Sequence, residues 1–183
     1  MMEVSPLEID GVKFSQVQAF QDNRGRFLKT LPNTLLQTPL ESIALSLNPR
    51  VGTIRGIHFQ IEPFSEEKVI TCVQGSTYEV IVDLRPKSHT LGKKAFFELS
   101  QTNGLQVYLP KGIAHGFQTL SPDTVTQYCM TSQFNPEFSF SISPIGELNI
   151  EWPIKDYMIS DKDRGGISVD FAIEQYWKST GNF

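Results

Sequence analysis

Short runs of β-forming residues recur along the chain at intervals of about 8–12 residues, and this spacing constrains the fold more than any other feature. The runs are rich in Val, Ile, Phe, Tyr and Thr, and turn residues separate them. They are Ser42–Asn48, Lys68–Val73, Thr77–Leu84, Ala95–Leu99, Leu105–Leu109 and Thr124–Phe134. Helical pattern is weak, and it is confined to Asn33–Gln37 and an amphipathic tail over Val169–Trp177. The sequence predicts an all-β jelly roll with a short C-terminal helical segment.

The 183 residues fit one domain, and no repeat, linker or low-complexity tract divides them, so residues 1–183 are treated as a single unit. A formal net charge of -4 argues against general binding to nucleic acid. No window has the roughly 18 apolar residues of a membrane span, and the first residues lack the order of a secretory signal. Cys72 and Cys129 are too few for a disulfide scaffold. We therefore expect a cytoplasmic protein that contacts neither nucleic acid nor membrane.

Two motifs carry glycine and histidine at fixed offsets. GTIRGIHFQ places Gly52 six residues before His58, and GLQVYLPKGIAH ends on His115 after two glycines and a proline. Glycine suits turns, and proline fixes the backbone φ angle. The pattern resembles that of the cupins, whose barrels often bind a metal through three histidines and a glutamate. Here Gln60 stands at the second histidine position and Lys68 at the glutamate position, so ligand count and charge both argue against a metal site.

The predicted barrel interior therefore contains two imidazoles and two cations, from His58, His115, Arg55 and Lys68. A histidine base beside positive side chains that stabilise an oxyanion can remove a proton next to a carbonyl. The same cations suit a substrate that carries phosphate. A histidine in a strand or loop is more often structural, and this is our interpretation of His89 in the loop PKSHT.

Motifs along nearly the whole chain resemble those of the dTDP-4-dehydrorhamnose 3,5-epimerases and related nucleotide-sugar epimerases. In order they are FQDNRGRF, RGIHFQ, KVITCVQG, VDLRPKSHTLGK, LPKGIAHGFQTL, IEWP and SDKD. The resemblance implies a homodimeric cupin whose substrate is a nucleoside-diphosphate 4-keto-6-deoxy sugar. It also implies that the enzyme needs no cofactor and inverts carbons beside the ketone, at C3, C5 or both.

The resemblance also implies a role for each matching residue. His58 falls on the catalytic base, Asp163 on the carboxylate that supports this base, and Lys68 on the lysine that stabilises the enolate oxygen. Substrate-pocket positions are Arg55, Gln60, His115 and Phe134. Arg24 matches an arginine that binds the diphosphate, and Phe27 matches an aromatic residue that packs against the nucleotide base. The simpler interpretations are a loop cap for Asp163 and a core residue for Phe27.

Two departures from the family pattern bear on function. Lys29 stands where many dTDP-using members have a glutamate that contacts the base, so the sequence does not establish which nucleotide base is bound. Counting back from Pro136 places Phe134 at the family's catalytic tyrosine, and phenylalanine has no transferable proton. Tyr128 lies six residues earlier, and on a regular strand it would be about 20 Å from Phe134. The sequence therefore predicts a weak or single-position epimerase, with Phe134→Tyr increasing inversion.

Three classes of function remain open on the sequence alone. The first is an active epimerase, which His58, Asp163 and Lys68 favour. The second is a non-catalytic or ketoisomerase-like protein that binds a nucleotide sugar, which the loss of the tyrosine favours. The third is a metal-dependent cupin dioxygenase or isomerase, which Gln60 and Lys68 disfavour.

Overall fold

A computed structural model describes residues 9–31 and 35–181, and most of its strands form two antiparallel sheets. The first sheet contains, in spatial order, Lys13–Gln16 (β1), Leu105–Leu109 (β9), Lys68–Gln74 (β6), Thr124–Met130 (β11) and Ser42–Asn48 (β4). The second contains Ser139–Ser141 (β12), Ile54–Gln60 (β5), Ile113–Thr119 (β10), Ser76–Asp83 (β7) and Lys94–Ser100 (β8). A hairpin of Gln18–Asp22 (β2) and Gly25–Lys29 (β3) forms its own two-stranded sheet. The helices are Asp161–Arg164 (α1) and Val169–Ser179 (α2).

The architecture confirms the predicted all-β fold with a short C-terminal helix. Helix α2 begins after Ser168, whose hydroxyl accepts a hydrogen bond from the Phe171 N–H and so caps the helix. The predicted turn at Asn33–Gln37 is not helical at residues 35–37, and its first two residues lie outside the described part of the chain. Among the described residues, no helix is long and apolar enough to cross a membrane.

The interior between the two sheets has an apolar half, filled by side chains from both sheets. Its core includes Ile70, Ile81, Phe97, Leu99 and Val107. A second cluster covers the opposite face of the second sheet, where α2 and the segment before it pack; it includes Val80, Val82, Trp152, Ala172 and Tyr176. Because this sheet is covered on both faces, all seven residues of β10 are buried.

Strand β11 is shorter than the sequence predicts. It ends at Met130, four residues before Phe134, so the prediction of one strand over Thr124–Phe134 is wrong at its C-terminal end. A turn follows in which the Asn135 carbonyl accepts from the Phe138 N–H and the Asn135 side chain accepts from the Glu137 N–H. Asn-Pro pairs favour such turns, because proline cannot donate to a strand ladder.

Candidate active site

A cavity of about 490 Å³ occupies the other half of the interior between the sheets. The second sheet contributes Arg55, His58, His115 and Phe117 to its lining, and the first sheet contributes Ala44, Ser46, Lys68 and Tyr128. Phe134 and the segment from Ser160 to Asp163 complete one side. Cavities of roughly 300–1,000 Å³ are typical of small-molecule sites. All three residues that the sequence predicts for catalysis, His58, Lys68 and Asp163, therefore lie around one space.

His58 is held by Asp163, which lies 105 residues away in the sequence. The distance between His58 Nε2 and Asp163 Oδ1 is 2.6 Å. Asp163 is fixed in turn by α1, where the Ser160 hydroxyl accepts from the Asp163 N–H at 3.1 Å. The His58 side chain is 42% exposed at the cavity and that of Asp163 is 7% exposed. An accessible imidazole backed by a buried carboxylate is the arrangement of a general base.

The surroundings of Asp163 keep its carboxylate charged. Burial by itself raises the pKa of this group, but hydrogen bonds from His58, the Gly56 N–H and the Ser141 hydroxyl, with the charge of His58, outweigh burial and lower the pKa to about 2. A permanently charged partner fixes the orientation of the His58 ring and stabilises the imidazolium that forms when His58 accepts a proton.

A β-bulge brings Arg55 and His58 to the same side of β5. Residues three apart on a regular strand point to opposite faces. Against β10, however, His58 pairs with His115 and Arg55 pairs with Phe117, so three steps on β5 match two steps on β10. The extra residue reverses the alternation. The Arg55 side chain is anchored by a 2.8 Å hydrogen bond from its Nε to the Asn48 Oδ1.

His115 lies opposite His58 on the neighbouring strand and has a different environment. Its Nε2 lies 2.5 Å from Glu79 Oε2, and the Thr77 hydroxyl donates to the same carboxylate. Burial lowers the pKa of His115, and the charges of Lys68 and His58 add to this effect against the opposing influence of Glu79. His115 therefore stays neutral at physiological pH, and it lines the cavity.

Lys68 reaches the cavity from the first sheet, on the wall that faces His58. Its Nζ lies 2.9 Å from Glu66 Oε1, and both side chains are largely buried, with 12% and 8% exposed. Sequence reasoning missed Glu66, although a carboxylate two residues before a predicted site lysine is a usable signal. The pair gives the cavity a cation that is already desolvated and held in place, next to an acceptor for hydroxyl groups.

Tyr128 is another cavity residue, and the sequence analysis placed it too far from Phe134 to share its position. That distance assumed an unbroken strand to Phe134, whereas β11 ends at Met130 and both aromatic side chains line the cavity. Burial raises the pKa of Tyr128, and the Glu79 carboxylate raises it further, so this hydroxyl keeps its proton at neutral pH. Tyr128 comes from the sheet opposite the one that carries His58.

Arg24 and Phe27 are the two predicted site residues that the chain does not bring to this cavity. Both lie in the β2–β3 hairpin, where Arg24 pairs with Asp22 at 2.6 Å. Phe27 is 65% exposed, so its interpretation as a core residue is wrong for this chain. Together with Phe20 they line a separate, shallower pocket on the hairpin.

The barrel interior offers little to a metal ion. Each cavity histidine has a ring nitrogen hydrogen-bonded to a carboxylate, and Gln60 and Lys68 have no imidazole or carboxylate to contribute. Across residues 9–31 and 35–181, no three His, Cys, Asp or Glu side chains are grouped closely enough to hold a metal ion.

The fold and the site together define a cupin-type barrel with an acid–base site between its sheets. The family model described as dTDP-4-dehydrorhamnose 3,5-epimerase matches residues 6–170. The chain belongs to this family of carbohydrate epimerases.

Named relatives cover most of the chain. A dTDP-4-dehydrorhamnose 3,5-epimerase from Sinorhizobium fredii is 37% identical over 88% of this chain and 87% of its own. A dTDP-4-dehydrorhamnose 3-epimerase from Streptomyces niveus is 32% identical over 91% of this chain and 83% of its own. The crystal structure of the 3,5-epimerase from Bacillus anthracis, with TDP and pyrophosphate bound, is similar with a TM-score of 0.82. It is 32% identical and covers 88% of this chain and 97% of its own.

Proposed function

We propose that this protein epimerises a nucleoside-diphosphate 4-keto-6-deoxy sugar at a carbon beside the ketone, with His58 as the base. The observation that carries the proposal is the 2.6 Å contact between a cavity-facing His58 and the buried Asp163, with Lys68 on the facing wall. Family membership and the substrates named for its relatives support this substrate class.

In the proposed reaction, His58 Nδ1 first takes the proton from C3 or C5 of the sugar, because His58 Nε2 donates its hydrogen to the charged Asp163. The C–H electron pair moves into the bond to C4, and the ketone oxygen becomes an enolate oxygen. The Lys68 ammonium stabilises this charge in a partly dry cavity, where such contacts are strongest. Return of a proton to the opposite face of the same carbon re-forms the ketone and inverts the centre.

We propose Tyr128 as the donor of that returning proton. Inversion needs an acid on the face away from the base, and Tyr128 lines the same cavity from the opposite sheet. Its hydroxyl is protonated at neutral pH, so Tyr128 has a proton to give to the enolate carbon. The sequence-based prediction of a weak epimerase took Phe134 as the position of the acid. It also assumed that Tyr128 was too far away to replace that acid. With Tyr128 at the cavity, Phe134 does not by itself imply weak inversion.

We also propose that the active form is a homodimer in which the partner's hairpin completes the site. Within one chain, Arg55 lines the cavity and can bind a phosphate of the substrate. Arg24 and Phe27, predicted to contact the diphosphate and the base, lie outside the cavity. The hairpin presents exposed Phe20 and Phe27, and β4, at the edge of the first sheet, exposes three apolar side chains: Ile43, Leu45 and Leu47. An exposed apolar edge strand is normally covered by another chain.

The test is to incubate the protein with a nucleoside-diphosphate 4-keto-6-deoxyglucose in D₂O and to follow each ring carbon by NMR. We expect deuterium at C3, C5 or both, with inversion. His58→Ala should slow the exchange by about 10²–10⁴-fold, the usual contribution of a general base. His89→Ala, which removes an exposed loop histidine, is the matched control and should exchange normally.

Exchange at the parental rate in His58→Ala would show that another group is the base. Binding of the sugar nucleotide without any exchange would favour a non-catalytic protein instead. Conversion to a 3-keto sugar without inversion would favour a ketoisomerase-like activity.

A further inference from the structure

The side chain of Gln60 borders the cavity, but its amide is hydrogen-bonded to the segment that carries Phe134. Its Nε2 donates to the carbonyl oxygens of Phe64, at 3.1 Å, and Gln133, at 3.2 Å. Its Oε1 accepts from the Asn135 N–H at 2.8 Å. Two of these three contacts fall on the residues that flank Phe134. Only this orientation of the amide places its nitrogen against two acceptors and its oxygen against a donor.

These contacts use both hydrogens of the Gln60 amide, and the residue is only 5% exposed. A ligand in the cavity would therefore find no donor on Gln60. Phe134, in contrast, is 68% exposed and lines the cavity. The segment is also fixed by a 2.7 Å hydrogen bond from the Gln133 side chain to Glu41. The Phe134 ring thus faces the cavity from a backbone that is held on both sides.

We propose that Gln60 is a positioning residue that acts on the bound sugar through Phe134, which it holds as a fixed apolar wall of the cavity. The kinetic part of this proposal rests on the proposed epimerase function. A wall held in place before the ligand arrives improves affinity, because no ordering cost is left for the binding step. The alternative is the sequence-based prediction that Gln60 contacts the substrate directly.

Gln60→Met tests the proposal because methionine has a similar length and bulk but no amide. The freed backbone groups of Gln133 and Asn135 lie in a partly exposed segment and can bond to water, so the variant should fold. We expect KM for the sugar nucleotide to rise about tenfold with a smaller change in kcat, the pattern of a lost ground-state contact. Phe134→Ala should give a similar rise.

The double variant separates positioning from direct contact. If Gln60 acts only through Phe134, then Gln60→Met adds no further rise in KM when Phe134 is already Ala. Independent, multiplying effects of the two substitutions would show direct substrate contact by Gln60 and would overturn the proposal.

Gln118 offers a matched control, because it holds another segment in the same way. Its Nε2 donates to the Ile154 carbonyl and its Oε1 accepts from the Ile154 N–H, both at 2.9 Å. Gln118→Met should lower the melting temperature without raising KM. An equal rise in KM would mean that any lost buried amide has this effect, and the proposal would fail.

Amide hydrogen exchange tests the contact without turnover, so its outcome is independent of the epimerase proposal. The Asn135 N–H should exchange slowly in the unmodified protein and faster in Gln60→Met. Unprotected exchange at Asn135 in the unmodified protein would overturn the proposal even if the variant failed to fold.

Discussion

Three ionisable side chains around the cavity keep different protonation states because their surroundings differ. Asp163 stays charged because three hydrogen-bond donors outweigh the effect of burial and lower its pKa to about 2. His115 stays neutral because burial lowers its pKa. Tyr128 stays protonated because burial and the Glu79 carboxylate raise its pKa. These states fit the proposed roles, in which His58 takes a proton and Tyr128 returns one from the other side.

At the residue scale, we predict that Tyr128→Phe separates exchange from inversion. The variant keeps His58, so deuterium should still enter the sugar. It should be added on the face from which the proton was removed, so the configuration is retained. Inversion should fall by about 10²–10⁴-fold, as expected for loss of a general acid. NMR in D₂O measures both quantities in one sample. Phe134→Tyr is the comparison variant; if it increases inversion strongly while Tyr128→Phe does not reduce it, the acid belongs to position 134.

A second residue-scale prediction concerns Asp163→Asn and acid stability. The pKa of Asp163 is lower in the folded protein than in the unfolded chain, so its contribution to stability is complete above the unfolded value and is lost as pH falls towards about 2. The melting temperature of the unmodified protein should therefore decrease more steeply than that of Asp163→Asn between roughly pH 5 and pH 2. Parallel curves for the two proteins would contradict the charged state assigned here.

The two strands that carry the cavity histidines leave no room for a Cβ at the glycines where they meet. A Cβ on Gly116 of β10 would lie 2.5 Å from Ile57 Cδ1 and 2.7 Å from the Arg55 carbonyl oxygen. A Cβ on Gly56 of β5 would lie 2.6 Å from the Gly116 Cα. Paired glycines therefore let β5 and β10 meet at the bulge that orients Arg55 and His58.

At the element scale, we predict that Gly116→Ala impairs the site as well as stability. The added methyl group must push β5 away, and overpacking of this kind costs about 1–3 kcal/mol. The displacement also moves His58 relative to Lys68 on the facing sheet, so kcat should fall even at temperatures where the variant is fully folded. Thermal unfolding and single-turnover kinetics measure the two effects. Full activity in a folded variant would show that the close approach does not position His58.

At the scale of the whole molecule, the site is a space between two sheets to which each sheet contributes different chemistry. The second sheet supplies His58 and Arg55, and the first supplies Lys68 and Tyr128. The hairpin with Arg24 and Phe27 stands apart from this space within one chain. A two-fold dimer is the simplest assembly that would bring a second hairpin to each cavity.

Mixing two inactive variants tests this assembly. Arg24→Ala damages the hairpin and His58→Ala damages the cavity, so a hybrid dimer would have one intact site if the hairpin acts on its partner. Unfolding and refolding the mixture together should restore about a quarter of the parental activity, from random pairing of two subunits. Light scattering should give about twice the chain mass of 20.6 kDa. A monomer mass, or no restored activity from a mixed dimer, would contradict the shared site.

Much of the fold and part of the site could be predicted from the sequence, because those features depend on local pattern. Runs of β-forming residues predicted β4 and β9 with their observed bounds. Helix-like spacing of apolar residues predicted α2 to within two residues of its end. Motif spacing singled out His58, Lys68 and His115, and the resemblance to the family singled out Asp163; all four line the cavity. The types and order of residues along the chain were also enough to identify the family, because its motifs are short continuous segments.

The tertiary structure alone decided how distant residues meet. No local pattern joins His58 to Asp163 across 105 residues, because their contact depends on where α1 packs against β5. The bulge that turns Arg55 towards His58 depends on the register with β10. Strand β11 ends at Met130, and the Gln60 amide contacts the segment that follows it, so both Tyr128 and Phe134 lie at the cavity. Such features arise from contacts between elements, and a sequence read along one strand does not contain them.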